Sequence, residues 1–215
     1  MTEKSMQAHL TDKGFVQLNK TNLHAFAENM GSAYVGYPLF DWAFDRKCNP
    51  ADMTRFFTVT FKTMMHSSLT FATSDRAESL ISLIEPGVGV TTAWDYIKAG
   101  GISLYLTIGP KRIHRIEAYE AYSESLRKKY CTGDCWYFYD FTTRSEYQGK
   151  GMGRPLWSSA MEWLDMNHKA VYLETAKQQN VETYGRYGFE LLETGEVPNS
   201  NVPHYCMKRL PKGGE

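Results

Sequence analysis

The stretch EYQGKGMGRPLW, Glu146 to Trp157, packs three glycines into five positions, directly after Gln148 and directly before an apolar helical pattern. Glycine costs conformational entropy on folding, so such a cluster marks a backbone that must bend sharply or admit something close. The preceding CWYFYDFTT, Cys135 to Thr143, reads as a central strand. The following LWSSAMEWLDMN reads as a helix whose Leu156, Met161 and Leu164 can face a sheet. A glycine turn leading from a strand into a helix is a place to hold phosphate. The first helical N–H groups have no intrahelical partners, the macrodipole adds partial positive charge, and glycine removes the Cβ atoms that would keep a diphosphate away. Pro155 fits the first helical turn, where a missing N–H matters least. The alternative is a tight strand-to-helix turn that binds nothing.

Downstream of the turn, AVYLET is a strand, NVETYGRYGF a short helix ended by Gly188, and FELLE and HYCMKR the last two strands. Upstream, TNLHAFAENMGSAY is helical, with Thr21 as cap and Leu23, Phe26 and Met30 at helical spacing. FDWAFDRKCNPADMTRFFTVTFKTMMHSS carries Asn49 as a cap and Pro50 at the first helical position; Phe56, Phe57, Met64 and Met65 are core candidates. LTFATSD and AESLISLIEPG are two strands joined at Ser74 to Arg76, and Thr91 to Tyr130 is helical, broken at Gly100, Gly101 and Gly109-Pro110. Alternating strands and helices predict an α/β fold around a mixed sheet, and without repeats or linkers residues 1–215 are expected to form a single domain.

A chain of 215 residues has ample length for a core. Lys plus Arg and Asp plus Glu each number 24, so no global basic field points to nucleic acid or to an anionic membrane. MTEKSMQAHL has no apolar stretch of signal-peptide length and nothing downstream approaches a membrane span, so the expected address is the cytoplasm. Four scattered cysteines are too few for a disulfide framework. Cys131 and Cys135 form the only close pair and have no histidine near them, so no metal is expected.

The spacing at the turn is neither G-x-x-x-x-G-K-[ST] nor G-x-G-x-x-G near an N-terminal strand. It is Gln148, Gly149, Lys150, Gly151, Met152, Gly153, a Q-x-x-G-x-G pattern that resembles the pyrophosphate-binding motif of the GNAT acetyltransferase superfamily. VYLET, Asn180 and the YGRYGF of Tyr184 to Phe189 resemble that family's next strand and its Asn plus Tyr-x-x-x-Gly-Phe helix. LETGEVPNSNVPHYCMKR is similar to the puromycin acetyltransferase-like branch, and the likeness runs from about Cys135 to Leu210. The resemblance implies the GNAT acyl-CoA N-acyltransferase fold: a mixed central sheet splayed between two parallel strands, Cys135 to Thr143 and Ala170 to Thr175, flanked by helices. A helical insertion lies between Glu85 and Cys135. It further implies that acetyl-CoA enters the gap as co-substrate. Its pantetheine would pair with the backbone of Phe141, Thr142 and Thr143, and its pyrophosphate would sit on the turn from Gln148 to Arg154, with Asn180 contributing. For Phe141 to Thr143 the alternative is ordinary ladder pairing.

Acetyl transfer to an amine needs a neutral nucleophile and a proton for the departing thiolate. An alkyl amine with a pKa of about 10 is almost wholly protonated at neutral pH, so something must take its proton, directly or through water. Tyr184 matches the family tyrosine that donates to the thiolate, and Asn180, four residues earlier, can share its helix face. The base is Glu174, Asp140 or water. Glu174 ends a strand beside the cleft. Asp140 lies inside an aromatic strand, a costly placement that asks for a partner or a task, and a buried structural role suits it equally. Because adjacent side chains alternate across a strand, Tyr139 and Asp140 are not expected to share the cleft face. His66, His114 and His204 lack motif context and are read as structural. The insertion, with Trp94 as its example, and the aromatic YVGYPLFDWAF can wall an acceptor pocket. The expectation is an acetyl-CoA-dependent N-acetyltransferase acting directly on a primary amine of a small molecule, with a homodimer admitted. The alternatives are a peptide or protein N-acetyltransferase and a catalytically silent acyl-CoA sensor.

Overall fold

Seven strands form one sheet in the computed structural model, which describes residues 5–45, 48–88 and 93–212. They are β1 (Val16–Gln17), β2 (Leu69–Ala72), β3 (Ser79–Ile84), β4 (Trp136–Thr143), β5 (Val171–Thr175), β6 (Glu190–Glu196) and β7 (Pro203–Arg209). Their spatial order is β1-β2-β3-β4-β5-β7-β6, and every pair is antiparallel except β4 with β5. Strand β4 is supported by β3 over nearly its whole length, from Ile84↔Tyr137 to Ser79↔Thr143. It pairs with β5 only from Trp136↔Val171 to Phe138↔Leu173. Past Phe138 and Leu173 the two parallel strands share no ladder, and the sheet opens at their C-terminal ends, as the family resemblance implied.

Helices cover both faces. On one lie α1 (Met6–Asp12), α8 (Arg154–Met166) and α9 (Gln178–Arg186). There Met6, Leu10, Leu156 and Leu164 meet Ile81, Phe138, Val171 and Leu173 of the sheet. Leu156 and Leu164 are fully buried; each such side chain contributes roughly 1.5–3 kcal/mol by leaving water. On the other face lie α2 (Leu23–Ala33), α3 (Pro38–Ala43), α4 (Pro50–Met64), α5 (Ala93–Ala99), α6 (Gly101–Ile108) and α7 (Pro110–Tyr130). Phe26, Met30, Phe57 and Phe61 pack there against Ala72 and Leu80. Asn49 caps α4 by accepting from Asp52 N–H at 2.9 Å. Gly100 and Gly109, at φ +106° and +93°, separate α5, α6 and α7, using a conformation that side-chain-bearing residues avoid.

Some expectations need correcting. The cap of α2 is Asn22, not Thr21: the Thr21 hydroxyl is spent on Asn19 Oδ1 at 2.6 Å, while Asn22 ties Asn19 and Gln17 into the entry turn. The polar start holds α1 and β1, too short to show a period, and α3 stands apart from α4 as its own turn. Leu23 and Met65 are half-buried at the margin of the core. Residues 46–47 and 91–92, included in helical readings, lie outside the described residues. No described helix is long and apolar enough to cross a membrane.

Candidate active site

The register between β3 and β4 slips once. Ser82 faces Asp140, and the next residue, Leu83, faces Phe138, so Tyr139 is an extra residue, a β-bulge. The bulge resets the alternation. Trp136, Phe138 and Phe141 face α8, the Phe141 ring lying 5.2 Å from Trp157. Tyr137, Tyr139, Asp140 and Thr142 turn to the opposite face: Asp140 accepts from the Tyr34 hydroxyl and Thr142 donates to Asn29 Oδ1 at 2.5 Å. The expectation that Tyr139 and Asp140 would point to opposite sides is therefore wrong, and both line the cleft.

That cleft is a cavity of about 300 Å³ where β4 and β5 part. Of the residues singled out from the sequence, it gathers Asp140, Phe141, Thr142, Thr143, Gln148, Glu174, Asn180 and Tyr184. The turn from Gly149 to Arg154 adjoins it, because Gln148 Nε2 donates to the Thr143 carbonyl at 3.0 Å and so ties the turn to the end of β4. Gly149 and Gly151 sit at φ +73° and +72°, and a Cβ on either would meet nothing within 4 Å, which leaves their backbone open to approach. Gly153 serves packing instead: its Cβ would lie 2.7 Å from the Phe141 ring. None of the amides from Gly149 to Gly153 donates to a backbone carbonyl among the described residues. Lys150 Nζ stands 5.6 Å over the Tyr147 ring, and Lys150, Met152 and Arg154 do not line the cavity.

Asp140 is buried, and loss of solvation pushes its carboxyl up to about 8; the Tyr34 hydrogen bond opposes this and the Glu120 carboxylate adds to it. Tyr184 stacks on Trp157 at 5.7 Å and leans on Phe189 at 5.7 Å, and burial raises its hydroxyl well above the ordinary tyrosine value. Glu174 is anchored. Its side chain is 2% exposed; Tyr172 donates to one oxygen at 2.7 Å, Ser123 donates to the other, and His204 Nε2 lies 3.3 Å away. Asn180 is anchored too, donating to Thr175 Oγ1 at 2.9 Å, the oxygen that also meets the Tyr37 hydroxyl at 3.2 Å. Tyr37 in turn accepts from Ala176 N–H at 2.8 Å.

Several site residues carried no recognisable signal. Tyr34 and Tyr37 come from the aromatic run YVGYPLFDWAF, whose composition hinted at a pocket wall but not at a partner for Asp140. His204, read as structural, packs against Tyr122 at 5.2 Å beside Glu174. Glu120 on α7 was not foreseen; it is exposed at the cavity wall, where partial loss of solvation and Glu174 nearby raise its carboxyl and Arg127 partly offsets this. The insertion lies on the Asp140 face of the sheet and walls a cavity of about 740 Å³. Tyr96, Ile97 and Tyr105 line it; Trp94, 60% exposed with Lys98 Nζ 5.6 Å from its ring, does not.

Comparison with known proteins agrees with this geometry. Residues 126–210 match the family model of the acetyltransferase (GNAT) domain. The fold resembles the "histone acetyltransferase HPA2 and related acetyltransferase" of Corynebacterium glutamicum, with a TM-score of 0.60 and 14% identity over 93% of this chain and 97% of that one. It also resembles the polyamine N-acetyltransferase of Drosophila melanogaster (0.57, 12% identity, 91% and 98% covered). For arylalkylamine N-acetyltransferase 2 of Aedes aegypti the values are 0.54, 10% identity, and 91% and 97%. Residues 126–210 thus carry the match to the GNAT acetyltransferase domain, and the chain as a whole shares the fold of solved acetyltransferases.

Proposed function

We propose that the protein transfers acetyl from acetyl-CoA directly to the primary amine of a small molecule, within a ternary complex. The observation that carries this reading is the parting of β4 from β5 over a cavity that holds Asp140 and Tyr184, with a glycine turn whose amides donate to no backbone carbonyl among the described residues tied to its edge. The residues fit the co-substrate. Such amides and open glycine positions suit a diphosphate, and the unshared edge of β4 from Phe141 to Thr143 suits the amides of pantetheine. When bound, acetyl-CoA supplies the acyl carbon and a thiolate leaving group.

Asp140 takes a proton from the ammonium and leaves the nitrogen lone pair free to attack. A carboxyl held near 8 is matched to that task around neutral pH, where a base works best with a pKa close to the operating value. Tyr184 stays protonated throughout that range and gives its proton to the departing sulfur, and the second proton of the attacking nitrogen returns to the Tyr184 oxygen as the tetrahedral intermediate collapses. Glu174, both oxygens engaged, contributes negative potential toward a cation and holds the end of β5. Asn180 positions the same strand end through Thr175. Small-molecule acceptors fit a site walled by helices. Structural neighbours bear the names of arylalkylamine, agmatine and polyamine acetyltransferases.

A coupled thiol-release screen with acetyl-CoA over primary amines, antibiotics and peptides tests the reading. Release with small amines and none with peptides is expected. Tight acetyl-CoA binding with no release for any acceptor would mean a sensor, and release with peptides alone would move the assignment to proteins.

A further inference from the structure

We infer that the acceptor is an amphipathic amine whose ammonium head lies among Asp140, Glu120 and Tyr139 and whose apolar tail occupies the large cavity beneath α5 and α6. This rests on the acetyl transfer proposed above. Three cavities stand in a row: the cleft of about 300 Å³, a small one of about 60 Å³, and the one of about 740 Å³. Tyr139, the bulge residue, borders all three. Asp140 and Glu174 border the first two, while Glu120, Phe56 and Ile116 border the last two. The three cavities thus adjoin along one line of shared wall residues that leads from the reacting end to the large cavity.

Its two ends differ in character. At the inner end stand three carboxyl groups, Asp140, Glu174 and Glu120. Tyr34 occupies Asp140, and Ser123 and Tyr172 occupy Glu174, whereas Glu120 has no ion-pair partner among the described residues. Glu120 is exposed where it lines the cavity wall, so its carboxylate is open to an ammonium that enters there. The outer cavity is mainly apolar, lined by Met64, Leu104, Ile113, Ile97, Ile102 and Tyr105. Its charged lining groups are largely spoken for: Lys128 pairs with Glu124 at 2.8 Å, and the Arg127 guanidinium lies 4.9 Å over Tyr137. Helix α6, GISLYLTI, carries no charged residue at all. Ile102 and Leu106 are 60% and 78% exposed while lining the cavity, an apolar mouth rather than a polar one. A volume near 740 Å³ with this lining is of the size that takes a drug-sized ligand, larger than a short polar diamine needs.

Calorimetry with an n-alkylamine series from butylamine to decylamine, on the full chain with and without acetyl-CoA, tests this, alongside thiol release for the same amines. Affinity should rise with each methylene by up to about fourfold until the cavity is filled. Glu120→Gln should weaken every member by a similar factor, of about tenfold, and leave the increment per methylene intact. Ile102→Asp, at an exposed position the fold tolerates, should weaken decylamine far more than butylamine. Affinity flat with chain length, or a polar diamine binding more tightly than an alkylamine of equal length, overturns the inference. Chain-length-dependent binding with no thiol release supports the amine cavity and overturns the catalytic reading; acetylation of short amines with flat chain-length dependence does the reverse.

Discussion

Replacing Asp140 by Asn should make the protein more stable at neutral pH while impairing turnover. Burial raises the folded carboxyl from 3.8 to about 8. Below 3.8 both folded and unfolded chains hold the proton, and the group places no pH-dependent penalty on folding. As pH rises above 3.8 the unfolded chain ionises freely while the folded one stays neutral, so stability falls by about 1.4 kcal/mol per pH unit until the folded group ionises near 8. Between pH 5 and pH 7 the wild type should lose about 2–3 kcal/mol from this residue alone. Asparagine keeps the shape and can still accept from the Tyr34 hydroxyl, but it does not titrate. Any constant change in that hydrogen bond cancels in the pH difference. Urea unfolding of both proteins at pH 5, 6 and 7 measures the effect: the gap should move in favour of the Asn variant by about 2–3 kcal/mol across that range. Parallel curves would refute the reasoning, since they would mean that the bond from Tyr34 keeps Asp140 ionised in the folded protein at pH 5. Thiol release by the Asn variant should fall by roughly a hundredfold, the scale of losing a general base.

Tyr184→Phe keeps the ring on Trp157 and removes one hydroxyl, so acetyl-CoA affinity should hold while turnover drops by roughly ten- to a thousand-fold, less with an acyl donor whose thiol is more acidic. Gly151→Val should weaken acetyl-CoA binding in calorimetry; because φ is +72° there, it should also cost about 1–2 kcal/mol of stability, measurable by denaturant unfolding. Asn29→Ala removes the donor to the Ala77 carbonyl, 2.7 Å away, and the acceptor for Thr142. It should destabilise by about 1–3 kcal/mol and raise the Michaelis constant for acetyl-CoA, because the end of β4 loses its support.

What the sequence determined by itself was local. Gln148 to Gly153 declare a strand-to-helix turn because a left-handed backbone and close approach demand glycine, and the following Pro155 and apolar period declare the helix. The aromatic strand before the turn and the YGRYGF helix after it are likewise legible from spacing alone, and together they delimit the cleft. Register is not local. Whether Asp140 faces the cleft depends on one residue more in β4 than in β3, between strands that are over fifty positions apart in the chain, and no period within β4 records that bulge. Tyr34 reaches the cleft from the end of α2 and Glu120 reaches the adjoining cavities from α7, and nothing in their own neighbourhoods marks them, because what distinguishes them is the carboxylates they meet after packing. The tertiary structure therefore decided which acid is poised and where the acceptor's tail has room, since both depend on desolvation and distance between segments that the sequence keeps apart.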